Sequence, residues 1–402
     1  MRVVAAVDTF FPDAPGGMAR VAWDVAAAMA RRGHEIVLVA GDGQARSREA
    51  AVTEELVDGV RVIRYPKPSM SAWDPWRAQK QIADCAAAIR SVLRRFSSDV
   101  IHCHSIFTAG AAAMVAGGVP LLQTVHSPAI QEILYNWKHQ GFTGEINRIF
   151  GTSAVRSLEA EGLRKSTCLH ALSRYTVSQM QREFPSHVDN FTVIPHWANQ
   201  EWFRTISKEE ARHRLGWPQD ERIVFTVRQL RHRYGIDTAI EAIAPLARAQ
   251  RCQFMIGGAG SDYGSLESQI RKLECADRIR MLGRLSDEHL RWAYQAADLF
   301  VLPTRALECF GLIIVEALAC GLPVVATSVG AIPENMSPIL PDFLVPPDDP
   351  PALGEKVSAF LDGRLQAPSE EALIRHAKEH FGEQAIVDCY EDLFRRAAQE
   401  RI

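Results

Sequence analysis

Short β-branched, apolar runs alternate along this chain with longer stretches whose apolar positions recur every three or four residues. The runs at 3–7, 35–40, 60–65, 100–104, 120–126, 167–172 and 191–195 read as strands, with helices such as 18–32 and 79–96 between them. A second series follows, with strands at 222–228, 252–257, 279–282, 298–303 and 323–328, again separated by helical stretches. The strands are apolar almost without interruption, which is the pattern of a parallel sheet covered on both faces by helices. Two consecutive series of this kind predict two doubly wound α/β domains, 1–198 and 199–382. The join falls within 195–203, an aromatic and polar segment with Trp197, Trp202 and Phe203 and no clear period. Past Pro350 the chain reads as helical to its end, and the amphipathic stretch 383–396 is long enough to lie across another surface. The stretch 127–149, with Trp137, Gly141 and Gly144, has no strong period and reads as a long loop or mobile helical lid.

Composition narrows the function. A chain of 402 residues with 47% hydrophobic and 23% charged residues is globular and long enough for two cores. A net charge of -3 argues against a nucleic-acid partner, which calls for a basic excess. The first half is slightly basic and the second acidic. That asymmetry reads as solvated surface before it reads as a patch for anionic lipid, and it lends only weak support to peripheral membrane contact. The eight cysteines form no CxxC pair, so neither a disulfide framework nor a zinc site is expected. The N-terminal run meets Asp8 too early for a secretory core, and no long uncharged apolar stretch occurs. The expectation is a cytoplasmic enzyme.

Ligands of open parallel sheets bind beyond the carboxyl ends of the strands, so the polar residues there are the candidates. Gly16 and Gly17 follow the first strand and open a helix, where backbone N–H groups can meet a phosphate. The spacing is not GxGxxG, and a tight turn is the plainer alternative. His126 ends a strand and opens the 127–149 stretch. His102 and His104 close the neighbouring strand, but two imidazoles without a third ligand make a poor metal site. The strand at 222–228 runs into Arg228, Arg231, His232 and Arg233, a concentration of cations suited to phosphate oxygens or else simply solvated. Gly257, Gly258 and Gly260 end the next strand. Then come Glu308 and, eight residues on, Glu316, with Gly311 opening an apolar helix between them. A carboxylate among Ile314, Val315, Ala317 and Leu318 needs a hydrogen-bonded partner, and the hydroxyls of a sugar or ribose would serve.

The block PTRALECFGLIIVEALACGLPVVATSVGAIPE, with its E-x7-E spacing, resembles the donor site of family 4 retaining glycosyltransferases of the GT-B fold. VRQLRHRYGID at 227–237, GGAG at 257–260, LGRLSDEHL at 282–290, APGGMAR at 14–20, DVIHCH at 99–104 and TVHSP at 124–128 support the resemblance over nearly the whole chain. It implies two Rossmann-like domains facing across a cleft. The first would bind the acceptor and be joined by the last helix, about 383–402; the second would bind the donor. By resemblance, Arg228 and Arg233 clamp the donor diphosphate, and Glu316 holds the ribose. The backbone near Arg284 reads the base, and Gly258 lies in the donor site. Glu308 and the backbone of Phe310, Gly311 and Leu312 hold the transferred sugar. Gly16 and Gly17 approach the diphosphate from the other domain, and His126 sits by the reacting carbon. The chain departs from the family pattern at Arg233, Cys309, Gly330-Ala331 and His196, and no role carries over to His196.

The expected chemistry is transfer of a hexose-type sugar from a nucleotide-diphosphate donor, a UDP-sugar on family odds, to an acceptor hydroxyl by front-face attack with retention. No cofactor and no metal are expected, since two guanidiniums can carry the leaving-group charge and no DxD-like cluster is present. A nucleotide-sugar epimerase or a non-catalytic nucleotide-sugar binding protein are the alternatives. A dehydrogenase lacks its GxGxxG, and a phosphorylase lacks a lysine in the donor block. Acceptor, sugar, regiochemistry and oligomeric state are not written in the sequence.

Overall fold

The structure, a computed structural model, describes residues 1–402 apart from 12, 14, 15, 69–75, 139, 140, 187–190, 204, 401 and 402, and apart from the side chains of 141–143, 146, 147, 149 and 150. The chain divides into two compact units, Met1–Pro195 with Gln384–Ile402, and His196–Glu383.

The first unit holds β1 (Arg2–Val7), β2 (Glu35–Asp42), β3 (Thr53–Val57), β4 (Val60–Pro66), β5 (Val100–Cys103), β6 (Leu121–Val125), β7 (Cys168–Ala171) and β8 (Phe191–Val193). They form one sheet in the order β3-β4-β2-β1-β5-β6-β7-β8. All neighbours are parallel except β3 and β4. The central β1 is buried from Val3 to Val7, which is why its sequence shows no polar alternation. Ile89, Ile101 and Val39 lie in the core that packs around it. The final helix, Glu383–Gln399, belongs to this unit. The Phe394 ring lies 5.2 Å from His102 and the Tyr390 ring 5.0 Å from His170, while Arg32 holds Glu391 at 2.8 Å.

The second unit holds β9 (Ile223–Val227), β10 (Gln253–Gly257), β11 (Ile279–Gly283), β12 (Leu299–Leu302), β13 (Val324–Thr327) and β14 (Leu344–Val345). All are parallel, in the order β11-β10-β9-β12-β13-β14. Phe225, Phe254 and Phe300 are fully buried on these strands, each contributing about 2–3 kcal/mol of transfer free energy. The helix Ile236–Arg248 covers one face with Ile236, Ala239, Ile240, Ile243 and Ala247, a three-and-four spacing that gives it an apolar stripe. From β9 the chain winds outwards in one direction to β11 and then, through β12, in the other. The reversal leaves a switch point between the carboxyl ends of β9 and β12.

One reading of the sequence is narrowed and one corrected. Of the loop and the helical lid offered for 127–149, the helical form is found, in Ala129–Lys138 and the start of Gly141–Lys165. The longer helix shows little period because its packed side sets Gly151 against Trp137, Gly162 against Ala109 and the buried Glu159 among its apolar contacts, which include Leu163 and Val155. The sheet of the first unit is also mixed rather than parallel. The strand β3, TEELV, is mostly exposed and shows no alternation; its register on β4 is set by a two-residue turn, Asp58-Gly59, with both residues at positive φ.

Candidate active site

The switch point of the second unit gathers most of the candidate residues. Arg228 follows β9, and Pro303 to Glu308 follow β12. The guanidinium of Arg228 donates from Nη2 to the Glu308 carboxylate, across eighty residues of sequence, and lies 3.5 Å from the Thr304 hydroxyl. Both side chains are largely buried, 14% exposed for Arg228 and 10% for Glu308. The face of Arg228 lies 4.2 Å from the centre of the Tyr234 ring, and Arg233 lies 4.8 Å from the same ring. Arg233 also donates to the Tyr234 hydroxyl at 2.6 Å. One phenol ring thus gathers both guanidiniums, an attraction of roughly 1 kcal/mol or more for each. Among the described residues, Arg228 Nε is buried without a hydrogen-bond partner. A buried donor of this kind costs about 1–3 kcal/mol until an acceptor meets it.

The loop after β10 supports Arg228 from below. Its N–H donates to the Gly257 carbonyl at 3.1 Å. At Gly258, with φ of +125°, a Cβ would fall 1.8 Å from the Arg228 carbonyl oxygen, so only glycine lets these two segments meet. Gly258 N–H in turn donates to Gly283 at 2.7 Å, and Arg284 follows as an exposed side chain.

Glu308 is fixed through its main chain, since its carbonyl accepts the Ala331 N–H at 2.7 Å. The Phe310 carbonyl accepts from Asn335 Nδ2 at 2.5 Å. Gly311, with φ of +87°, precedes the helix Leu312–Ala319, and no side chain caps that helix. The Ile314 N–H donates to the Gly311 carbonyl at 2.9 Å, and the N–H groups and positive dipole end at Leu312 suit an oxygen-rich ligand. Glu316 sits one turn into the same helix. The sequence reading gave its carboxylate a sugar as its partner, but the protein supplies one: Tyr294 donates its hydroxyl to Glu316 at 3.0 Å. Burial, and after it the neighbouring Glu316 carboxylate, pushes the Tyr294 hydroxyl well above its ordinary value, so it stays protonated as a donor. Tyr234, Tyr294, Thr304 and Asn335 went unnoticed in the sequence. A tyrosine set between Arg233 and Gly235 was the one local signal available for any of them.

In the first unit the switch point lies between β1 and β5. Gly17 opens the helix Gly17–Arg31 behind β1, and Gly16 precedes it. The structure does not require glycine at 16: its φ is 164°, which is extended backbone, and a Cβ there would meet nothing within 4 Å. Pro12 and Pro15, the basis of the tight-turn alternative, lie outside the described residues. His104 follows β5 and His126 follows β6, and His104 Nδ1 lies 3.0 Å from His126 Nε2, so one donates to the other. His102, Thr124 and His170 form a second buried chain. His170 Nε2 donates to the Ile194 carbonyl at 3.0 Å, and its Nδ1 lies 2.9 Å from the Thr124 hydroxyl, which lies 2.7 Å from His102 Nε2. Burial pushes His102 well below its ordinary value and keeps it neutral. Among the described residues, no group of three or more His, Cys, Asp or Glu side chains is placed to hold a metal ion, and no helix is long and apolar enough to cross a membrane.

Known proteins share this architecture. Residues 207–380 match the family described as glycosyl transferases group 1, and residues 15–202 match glycosyltransferase family 4. The D-inositol 3-phosphate glycosyltransferase of Xylanimonas cellulosilytica is 26% identical over 407 residues, spanning 96% of this chain and 93% of that protein. Among solved structures, the sucrose-phosphate synthase of Thermosynechococcus elongatus superposes with a TM-score of 0.82 at 21% identity, covering 98% of each chain. The Anabaena protein HepE in complex with UDP-glucose superposes with a TM-score of 0.74 at 18% identity, covering 98% of this chain and 100% of that one. With both halves matched and both sheets doubly wound, the chain belongs to the family 4 glycosyltransferases of the GT-B fold.

Proposed function

We propose that this chain is a retaining glycosyltransferase that moves a hexose-type sugar from a UDP-sugar to an acceptor hydroxyl by front-face attack. The observation that carries the reading is the convergence of Arg228, Arg233, Tyr234 and Glu308 on the switch point between β9 and β12. In this reading Arg228 and Arg233 receive the donor diphosphate, Arg228 partly through its unpartnered Nε. Glu316, held by Tyr294, takes the ribose hydroxyls. The backbone around Arg284 reads the base. Glu308, with the N–H groups that open the helix at Leu312, takes the hydroxyls of the transferred sugar. The first unit, which carries Gly16, Gly17 and His126, is the one assigned to the acceptor.

The acceptor oxygen bonds to the anomeric carbon on the face from which the diphosphate departs, and a departing phosphate oxygen takes the acceptor proton. Two preorganised guanidiniums stabilise the negative charge that develops on the leaving group. They supply what a divalent cation would otherwise provide, so transfer is expected to persist in EDTA. A UDP donor is supported by the HepE complex, and a cyclitol acceptor by the relative that acts on D-inositol 3-phosphate.

The test is a binding panel of UDP, GDP, ADP and NAD, read by thermal shift on the wild type and on Arg228→Ala, followed by acceptor screens with the matching sugar nucleotides. Selective stabilisation by one nucleoside diphosphate, lost in the variant, supports the donor site. Nucleotide release that depends on an acceptor distinguishes a transferase from an epimerase or a non-catalytic binder. Indifference to every diphosphate would overturn the reading.

A further inference from the structure

We propose that Arg305 is a positioning residue for Arg233: it fixes the 231–238 segment so that Arg233 is held at the diphosphate site. The proposal rests on the reading of Arg228 and Arg233 as the diphosphate clamp. Arg305 lies between β12 and Glu308, with a side chain only 10% exposed. A guanidinium has five N–H donors, and here each has its own acceptor. Nη1 donates to the His232 carbonyl at 2.8 Å and to Asp237 Oδ1 at 2.7 Å. Nη2 donates to Asp237 Oδ2 at 2.8 Å and to the Thr238 hydroxyl at 2.7 Å. Nε donates to Asp348.

Nothing is left on Arg305 for a ligand, in contrast to Arg228 with its unpartnered Nε. What Arg305 holds is the short 3-10 turn His232–Tyr234 and the first turn of the helix Ile236–Arg248. Its own N–H donates to the Arg233 carbonyl at 2.9 Å, so the main chain at Arg233 is fastened directly to the loop that leads from β12 to Glu308. Gly235 seals the contact. With φ of +66°, it passes so close to Pro303 that a Cβ would fall 2.0 Å from the Pro303 carbonyl oxygen. The two loops of the switch point are therefore one assembly, with Arg305 as its pin. A lysine, with three donors on a point charge, cannot reproduce the planar fork.

The experiment is a double-mutant cycle between Arg305→Gln and Arg233→Ala, read as the dissociation constant for UDP, GDP or ADP (whichever binds the wild type most tightly) by calorimetry. Thermal unfolding of each variant is followed alongside. Arg305→Gln is expected to weaken nucleoside diphosphate binding on the order of tenfold, as misplacement of a binding group does. In the Arg233→Ala background the same change is expected to cost less than about twofold, because its effect passes through Arg233. Asp237→Asn keeps the arginine, weakens the fork and should move the constant in the same direction; it is the milder probe if Arg305→Gln folds poorly. Losses that multiply in the double variant, or wild-type affinity in folded Arg305→Gln and Asp237→Asn, would overturn the positioning role while leaving the clamp standing. Unchanged affinity in Arg233→Ala alone would overturn both.

Discussion

The contact between Arg228 and Glu308 makes a prediction about the product of transfer. In this structure the guanidinium assigned to the diphosphate is held by the carboxylate assigned to the sugar. A nucleoside diphosphate arriving without a sugar must draw Arg228 from Glu308 and accept that carboxylate as a neighbour. A sugar nucleotide instead offers hydroxyls to Glu308 at the same moment. Glu308→Gln removes the competing charge with little change in shape. With one guanidinium between them, a phosphate on Arg228 lies about 7 Å from the carboxylate, and at an effective dielectric of about 20 the repulsion is about 2 kcal/mol per unit charge. Halving this for residual exposure and salt leaves about 1 kcal/mol, so the variant should bind UDP roughly fivefold more tightly. Transfer should fall at the same time, since the sugar hydroxyls lose the anionic acceptor and one of its two oxygens. The assay is competition binding of UDP and of UDP-sugar to wild type and variant at two salt concentrations. The gain for UDP should shrink at high salt, and the preference for donor over free UDP should narrow. An unchanged or weaker affinity for UDP would refute the reasoning, because Arg228 would then be equally available with its partner charged or neutral.

Four further outcomes follow from the same contacts. Arg228→Ala should lower turnover by about 10²–10³-fold in a steady-state transfer assay, and a loss below about threefold would remove it from the charge-stabilising role. Gly235→Ala places a methyl against the Pro303 carbonyl at a left-handed φ and should lower stability by about 2 kcal/mol or more by chemical denaturation; an unchanged midpoint would contradict the geometry. Tyr294→Phe removes the donor to Glu316, worth about 1.5–3 kcal/mol for a bond to a charged group, and should raise the donor KM several-fold with a smaller effect on kcat. Glu159 accepts the N–H groups of Ala129 and Ile130 at 2.7 and 3.0 Å, yet burial pushes its carboxyl up from the ordinary 4.5 to about 7. The folded chain therefore keeps a proton that the unfolded chain releases, and stability should fall as pH rises from about 4.5 to 7, by up to about 3 kcal/mol, with no further loss from this group above that range. Denaturation midpoints at pH 5 and pH 8 test this, since Glu159→Gln should lack that share of the slope.

The architecture was legible because parallel strands buried on both faces leave continuous apolar runs, as in IVFTV at β9 and LFVL at β12. The failures have the converse cause. The edge strand β3 buries almost nothing, so TEELV carries no pattern; the turn Asp58-Gly59 was the only sign of it. The helix Gly141–Lys165 packs through glycines and a carboxylate as well as Leu163 and Val155, so its apolar period is weak and the sequence left loop and helix both open. For the candidate site, the cations standing directly after the apolar strand β9 drew attention to Arg228, and the two carboxylates eight residues apart around an apolar helix drew it to Glu308. What their charges do in the folded chain was not readable. Their pairing spans eighty residues of sequence, and the register that creates it is set by β9 lying beside β12, a feature of strand order.

The same limit explains why Arg305 attracted no notice in the sequence. Arg228 and Arg305 are both arginines placed just past central strands, and by composition they are equivalent. The fold separates them by satisfaction. Arg305 has an acceptor for every donor, whereas Arg228 keeps a buried Nε without one. A group with its donors spent can transmit order but cannot bind a ligand, and a buried unspent donor beside another cation is costly unless an anion arrives. The assignment of Arg228 to binding and Arg305 to support therefore follows from counting hydrogen bonds at each guanidinium. It stands or falls with nucleoside diphosphate affinity: Arg228→Ala should lose it outright, whereas the loss in Arg305→Gln should vanish in the Arg233→Ala background.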